Sequence, residues 1–179
     1  MCTIIVNREN TKAPYDMVFG FPKGWIAQQY DAPKSFYRRH YKQFADSKSV
    51  DIVAFDENTQ SLWLIEVKDY RAFPKKDKTI IDTIASKVRD TLSCLFIERL
   101  KSTDSLAAKA AQLQKIHVVF HLEQPEKPSK LYPQVIDWAN GLLKLKQVVR
   151  VIDPHPILCN IRHLPNQCAW SVSERRRVQ

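Results

Sequence analysis

Two short apolar runs in the first third of the chain have the composition of neighbouring β-strands. The runs are VDIVAF, residues 50–55, and SLWLIEVK, residues 61–68, and the polar stretch DENTQ separates them. Runs of this length, rich in β-branched and aromatic residues around a short polar stretch, predict a β-hairpin. With the turn centred on the polar stretch, Asp51 stands directly opposite Glu66 and shares its face of the sheet.

The chain after the hairpin alternates between helical and strand-like patterns. Apolar residues recur every three or four positions over residues 78–101, which predicts a long amphipathic helix. Further helices are predicted over residues 104–114 and 132–146, and strands over residues 116–122 and 148–152.

The terminal regions are harder to assign. Residues 22–30 begin with a proline, which suits the first turn of a helix, and we predict a helix there. The segment KSFYRRHYKQF, residues 34–44, fits either a helix or a strand, and SERRRVQ at the end of the chain has the composition of a frayed basic tail. Together the elements predict a mixed α/β fold in a single domain of 179 residues, with a mixed central β-sheet flanked by helices.

The charge of the chain favours a polyanionic partner. Lys and Arg number 28 against 19 Asp and Glu, which gives a formal net charge of +9. The basic residues come in short bursts, which are explained equally well by a solvated surface or by contacts with nucleic acid. On the second interpretation, aromatic and basic residues in two bursts contact the polymer: Arg38, Arg39, Lys42, Tyr70, Arg71, Lys75 and Lys76.

Other features of the composition exclude whole classes of protein. The chain has three glycines, from which neither a dinucleotide-binding GxGxxG nor a P-loop can be assembled. Its four cysteines form no CxxC pair and follow no signal-peptide pattern, so we expect reduced thiols in a cytoplasmic protein. No apolar run approaches the roughly 18 residues that cross a membrane, so we expect no membrane partner.

The predicted hairpin brings three charged side chains together at its open end. Because side chains alternate along a strand, Lys68 lies on the same face as Glu66 and the opposed Asp51. Both faces of the hairpin are apolar, so these charges are buried and need a partner. An ordinary cross-strand ion pair would supply one, but two close carboxylates also suit Mg²⁺ or Mn²⁺, with the carbonyl of Val67 as a third oxygen ligand. Lys68 could then orient a metal-bound water or stabilise charge on an attacked phosphate.

The sequence SVD of residues 49–51, followed on the next strand by EVK of residues 66–68, resembles the PD-(D/E)xK nuclease superfamily, which has the restriction-endonuclease-like fold. The resemblance implies that Asp51 and Glu66 hold Mg²⁺ and that Lys68 assists the hydrolytic water. It also implies a strand at residues 35–42 and a first helix at residues 22–30.

The chain departs from the pattern of that family at two points. Val50 replaces the proline that precedes the Asp, and the predicted first helix offers Gln28 and Gln29 but no acid before Asp31. On the helix that follows EVK, Lys87 is more simply explained as a solvated residue than as a phosphate contact.

We therefore expect a magnesium- or manganese-dependent nuclease that acts on nucleic acid, with DNA favoured over RNA. Two alternatives stay open: a non-catalytic nucleic-acid-binding or interaction module with the same fold, and a nuclease subunit that is active only within a defence or mobile-element complex. A homodimer would suit duplex cleavage by one active site per chain, although no segment of the sequence identifies its interface.

Overall fold

Eight strands form two sheets in the part of the chain that the structure, a computed structural model, describes: residues 1–6, 15–71, 79–101, 106–130 and 133–176. The strands are β1 (Cys2–Val6), β2 (Tyr15–Phe21), β3 (Trp25–Gln29), β4 (Ile52–Asp56), β5 (Ser61–Asp69), β6 (Lys115–Glu123), β7 (Ile157–Cys159) and β8 (Ser171–Arg176). The α-helices are α1 (Ile80–Lys101), α2 (Leu106–Ala110) and α3 (Trp138–Val149).

The larger sheet has five strands in the order β3-β4-β5-β6-β7. Strands β3, β4 and β5 are antiparallel neighbours, whereas β5, β6 and β7 run parallel to one another. Parallel neighbours need a crossover, and α1 with α2 supplies the first while α3 supplies the second. The α/β class and the mixed sheet are therefore confirmed.

The register of the β4–β5 hairpin is the predicted one. Ile52 lies opposite Ile65 and Asp56 lies opposite Ser61, which places Asp51 and Glu66 at the next position towards the open end. The long helix α1 and the strand β6 are also confirmed, whereas the second predicted helix is confirmed only over Leu106–Ala110, the short α2, because residues 111–114 are not helical. Local periodicity was sufficient for these elements because each has one clear apolar pattern.

Both faces of the five-stranded sheet are covered, but by different layers. On one face, Val53 and Leu64 pack with the helices, and on the other, Ala54 and Ile65 pack against the smaller sheet, whose order is β1-β2-β8. We predicted helices around the sheet and not a second sheet. Alternation also predicts Val50 on the second face, yet it packs with the helical layer, since it precedes the first residue of β4.

The prediction of a helix at residues 22–30 is wrong, because this segment holds the edge strand β3. Gly24 turns the chain with a φ of 86°, a conformation that favours glycine, and the next five residues pair with β4. The strand before the hairpin is thus β3. Residues 35–42, which the family resemblance assigns to that strand, contain instead a π-helical turn at Tyr37–Tyr41.

Predictions for the last third of the chain need three corrections. Helix α3 begins at Trp138, after Asp137, whose side chain accepts a hydrogen bond from the Asn140 N–H at 2.9 Å as an N-cap. The predicted strand at residues 148–152 is wrong, because α3 continues to residue 149 and the strand that follows is β7. The predicted tail is also wrong over residues 173–176, which belong to β8 and pair with β2.

Two further features of the structure concern membrane-spanning helices and the cysteines. None of the helices in its described residues is long and apolar enough to cross a membrane. The four cysteines are free thiols, and three of them are buried.

Candidate active site

Two buried carboxylates meet at the open end of the β4–β5 hairpin, as predicted. Asp51 is 7% exposed and Glu66 is 1% exposed. Asp51 immediately precedes β4, and its Oδ2 accepts a hydrogen bond from the backbone N–H of Val67 at 2.6 Å. This bond ties the Asp51 side chain to the strand that carries Glu66, so the two carboxylates stay on one face of the sheet.

Two lysines approach these carboxylates from different elements. Lys68, on β5, forms an ion pair with Oε1 of Glu66, and its Nζ lies 3.4 Å from the carbonyl oxygen of Val67. Lys87, on α1, places its Nζ 2.8 Å from both carboxylate oxygens of Glu66 and 3.9 Å from Oδ1 of Asp51. Glu66 is therefore held between two ammonium groups.

Lys87 is a site residue that sequence reasoning missed. We predicted a solvated lysine, but its side chain is only 16% exposed. The signal was its place on the helix. Position 87 lies three residues after Ile84 and four before Thr91, both of which are buried, so it shares the face of α1 that covers the sheet.

The electrostatics of the cluster are those of crowded carboxylates. Burial, followed by the negative charge of Asp51, raises the pKa of Glu66 above its ordinary value, while Lys68 and Lys87 pull it down. Burial by itself lowers the pKa of Lys87, because it disfavours the charged ammonium. The negative charges of Glu66 and Asp51 outweigh burial, so the pKa of Lys87 is raised. Such a site attracts cations, because each added positive charge relieves the repulsion between the two acids.

A third acid, Asp31, lies within electrostatic reach of the pair. It follows β3, and the preceding residue, Tyr30, donates its backbone N–H to the carbonyl oxygen of Asp51 at 2.8 Å. Burial and then the charge of Asp51 raise the pKa of Asp31, while Lys87 and Arg38 lower it. The sequence analysis found no acid before Asp31 in the predicted first helix, but this segment is β3, and Asp31 just after it lies near Asp51.

Helix α1 fixes the segment that carries Asp51. The Thr91 hydroxyl accepts a hydrogen bond from the Val50 N–H at 3.0 Å. Tyr30, which is fully buried, donates its hydroxyl to Glu98 on the same helix at 3.1 Å. The pKa of Glu98 is raised, chiefly by burial. These bonds hold the site on rigid elements, which suits chemistry that depends on position.

The predicted metal ligands fit Mg²⁺ or Mn²⁺ by their chemistry. Asp51, Glu66 and the Val67 carbonyl are hard oxygen donors that lie together. Over the described part of the chain, however, no three His, Cys, Asp or Glu side chains converge to hold an ion. The ammonium groups of Lys68 and Lys87 lie where a cation would contact Glu66.

The predicted nucleic-acid-binding residues fall into two separate groups. Arg38, Arg39 and Lys42 are exposed on and beside the π-helical turn, and Arg38 is the one close enough to affect Asp31. Arg71 is instead engaged by Asp69, with its Nη2 2.6 Å from Oδ2, and by Glu174.

The second group also contains Tyr70, Lys75 and Lys76. The backbone N–H of Tyr70 donates to the carbonyl oxygen of Glu123 at 2.7 Å, and its ring packs against the helical core. Lys75 and Lys76 lie outside the described residues.

The chain is similar in sequence to part of a known protein. No family model matches the chain, and neither does any solved structure. A cysteine–tRNA ligase from Neisseria meningitidis serogroup A is 29% identical to it over 207 aligned positions. The alignment covers 88% of this chain but 29% of the ligase, so the chain spans less than a third of that relative's length.

Proposed function

We propose that this protein is a metal-dependent nuclease with a restriction-endonuclease-like active site, which hydrolyses phosphodiester bonds in nucleic acid, DNA in preference to RNA. The observation that carries the proposal is the buried cluster at the open end of the hairpin. It combines two adjacent carboxylates, Asp51 and Glu66, with two lysines, Lys68 and Lys87. The net charge of +9 supports a polyanionic substrate.

In this mechanism each side chain of the cluster has one task. Asp51, Glu66 and the Val67 carbonyl would hold Mg²⁺ or Mn²⁺, which when bound makes a water molecule more acidic and offsets charge on the phosphate. Lys68 donates to the attacking water or to a phosphate oxygen. The water oxygen forms the new bond to phosphorus and releases a proton to solvent, while the bond from phosphorus to the leaving oxygen breaks and that oxygen takes up a proton from solvent.

Lys87 acts on Glu66 and not on the substrate. Its ammonium contacts both oxygens of that carboxylate, which fixes the orientation of Glu66, and its positive charge favours the ionised form. Lys87 would limit the rotation of the Glu66 carboxylate, which is one of the groups that would hold the metal ion.

A cleavage assay tests the proposal. Supercoiled plasmid, linear duplex, single-stranded DNA and a tRNA would be incubated with Mg²⁺ or Mn²⁺ and, as a control, with EDTA. The tRNA is included because the similar protein from Neisseria is named as a tRNA ligase. We expect metal-dependent cleavage that Asp51→Ala and Glu66→Ala reduce to the EDTA level while binding of DNA persists. Undiminished cleavage by both variants would overturn the assignment.

A non-catalytic binding module is the second candidate, and the engagement of Glu66 by both lysines favours it. Crystals soaked in Mn²⁺ would separate the two functions, because a nuclease should show an anomalous peak between Asp51 and Glu66 and a binding module should not. If the ion binds but the isolated chain does not cleave, a nuclease subunit that needs partner proteins is the remaining alternative, and adding those partners should restore cleavage.

A further inference from the structure

A second polar site lies at the same edge of the five-stranded sheet as the carboxylate cluster. A cavity of about 440 Å³ opens there. Its lining includes Arg71, just after β5, Glu123, the last residue of β6, and Asn160, just after β7. The carboxyl ends of parallel strands are where sheets of this kind commonly bind ligands, and the volume lies within the range of small-molecule sites.

The cavity and the cluster are on opposite faces of that edge. Val67 and His121 are register partners, and Val67 packs towards the smaller sheet. Glu123 is two residues beyond His121 and shares its face, whereas Glu66 is on the helical face. Glu123 pairs with Asp69, three residues beyond Glu66, so the two sites are about 10 Å apart along the strand.

The protein holds one carboxylate oxygen of Glu123 in place and leaves the other available to a ligand. Its Oε1 accepts the Ile161 N–H at 2.7 Å and lies 2.9 Å from Nε2 of His121, which is completely buried. No residue that the structure describes makes a hydrogen bond to Oε2. Burial raises the pKa of Glu123, but the bonds from His121 and Ile161 and the charge of Arg71 outweigh burial and lower it, so the group is ionised.

Basic side chains surround this carboxylate at the rim. Arg71, Lys127 and Arg162 line the cavity, and the side chain of Arg162 is 70% exposed. Two acids, Glu126 and Glu174, compete for the arginines. The cavity lining therefore combines a buried, oriented acceptor, Glu123, with two arginines that pair with partly exposed acids. A ligand that fits both has N–H donors at one end and an anionic group at the other.

We propose that the cavity binds one unstacked nucleotide of the nucleic acid, whose base carries an exocyclic amino group. The amino group donates to Glu123, as amino groups of bases do to carboxylates elsewhere, and the phosphate contacts Arg71 and Arg162 in place of Glu174 and Glu126. This inference rests on the proposed function, because the nucleotide is taken to belong to the strand cleaved at Glu66. It adds a preference for certain bases near the cut.

Calorimetric titration with GMP, AMP, CMP and UMP in EDTA tests the inference without cleavage. We expect the three amino-bearing nucleotides to bind about tenfold more tightly than UMP, the effect of one hydrogen bond to a charged group. Glu123→Gln should remove most of that preference, Arg162→Ala should weaken all four, and Glu174→Gln, which releases Arg71, should tighten them. Glu57→Gln, on the hairpin turn, is the matched control and should change nothing.

Three results would overturn the inference: no binding of any nucleotide at millimolar concentration, equal binding of all four by the wild type, or affinities unchanged in Arg162→Ala. If Glu123→Gln fails to fold, the inference is still tested by the preference of the wild type for amino-bearing nucleotides over UMP and by the affinities of Arg162→Ala. The same preparation would be assayed for cleavage. Cleavage without nucleotide binding refutes this inference alone, whereas nucleotide binding without cleavage refutes the proposed function and leaves the cavity as a nucleotide site.

Discussion

The two ends of the β4–β5 hairpin each carry a buried aspartate, and their surroundings are opposite. Asp51 at the open end and Asp56 at the turn are both 7% exposed. Asp56 meets only donors: its oxygens accept from the Asn58 N–H at 3.0 Å and from the Thr59 hydroxyl at 2.6 Å. Asp51 accepts one backbone N–H but also lies against the like charge of Glu66.

The comparison distinguishes Asp56, a carboxylate that stabilises the turn, from Asp51, a carboxylate whose surroundings suit a reactive site. Burial alone does not distinguish them, because both aspartates are equally covered. At the turn, hydrogen-bond donors satisfy Asp56. At the open end, Asp51 and Glu66 repel each other, which lowers the stability of the fold. Lys68 and Lys87 partly compensate for this repulsion. Perturbed, partly compensated charges of this kind gather at functional sites.

Substitution of either lysine beside the carboxylates should slow cleavage. Lys68→Ala should lower the rate of metal-dependent cleavage about 10²- to 10³-fold, since it removes a donor aimed at developing charge. Lys87→Ala should lower it about 10- to 100-fold, as loss of a group that orients a metal ligand does. Lys109, which pairs with Glu57 at the turn end, is the control, and single-turnover rates for Lys109→Ala should match the wild type. Equal losses in all three variants would erase the distinction between the two ends.

Metal binding should stabilise the wild type through the open end alone. At a Mg²⁺ concentration 100 times its Kd, the free energy of unfolding should rise by about 2.7 kcal/mol, which is about 5 to 10 °C in Tm for a chain of this size. Thermal denaturation with and without Mg²⁺ measures the shift. Asp56→Asn should retain it and Asp51→Asn should lose it, while a shift of the same size in both would place the ion elsewhere.

Without metal, the same two substitutions should change stability in opposite directions. Asp56→Asn replaces an acceptor of the turn with a donor, so we expect the free energy of unfolding to fall by about 1 to 2 kcal/mol. Asp51→Asn can still accept the Val67 N–H and removes a repelling charge, so we expect a rise of about 0.5 to 1 kcal/mol. Urea denaturation at neutral pH measures both, and destabilisation by Asp51→Asn would argue for a purely structural ion pair.

The smallest predicted effect is on the pH dependence of stability. The folded pKa values of Glu66 and Asp31 are raised above their ordinary values of 4.5 and 3.8. An acid shifted in this direction contributes stability that is fully present below its ordinary pKa and is lost as the pH rises through the folded value. The metal-free wild type should therefore lose more stability than Asp51→Asn as the pH rises from about 4 to neutrality. Parallel stability curves for the two proteins would contradict the repulsion.

The sequence was sufficient to predict the parts of this site that local pattern controls. Alternation along two clear strands determined the hairpin register, and with it the meeting of Asp51, Glu66 and Lys68. The position of Lys87 could have been derived in the same way, from its spacing to Ile84 and Thr91 on α1.

The remaining errors concern elements that long-range pairing creates. Strand β3 is half-buried at every position and therefore has no alternation, and β8 has the polar, largely exposed sequence SVSERR. Each exists because a partner strand completes its hydrogen bonds, β4 for the one and β2 for the other. The proximity of Asp31 to Asp51 depends on β3, so no local pattern could have predicted it.

Cleavage of duplex DNA by Asp51→Asn and Asp56→Asn, side by side with the wild type in Mg²⁺ and in EDTA, tests the central claim most directly. The two variants each lack one carboxylate, one just before β4 and one at its end, and the two positions are equally buried. Activity at the EDTA background for Asp51→Asn and close to the wild type for Asp56→Asn is the predicted result. Equal cleavage by the two folded variants would show that the open end of the hairpin is not where the phosphodiester is hydrolysed.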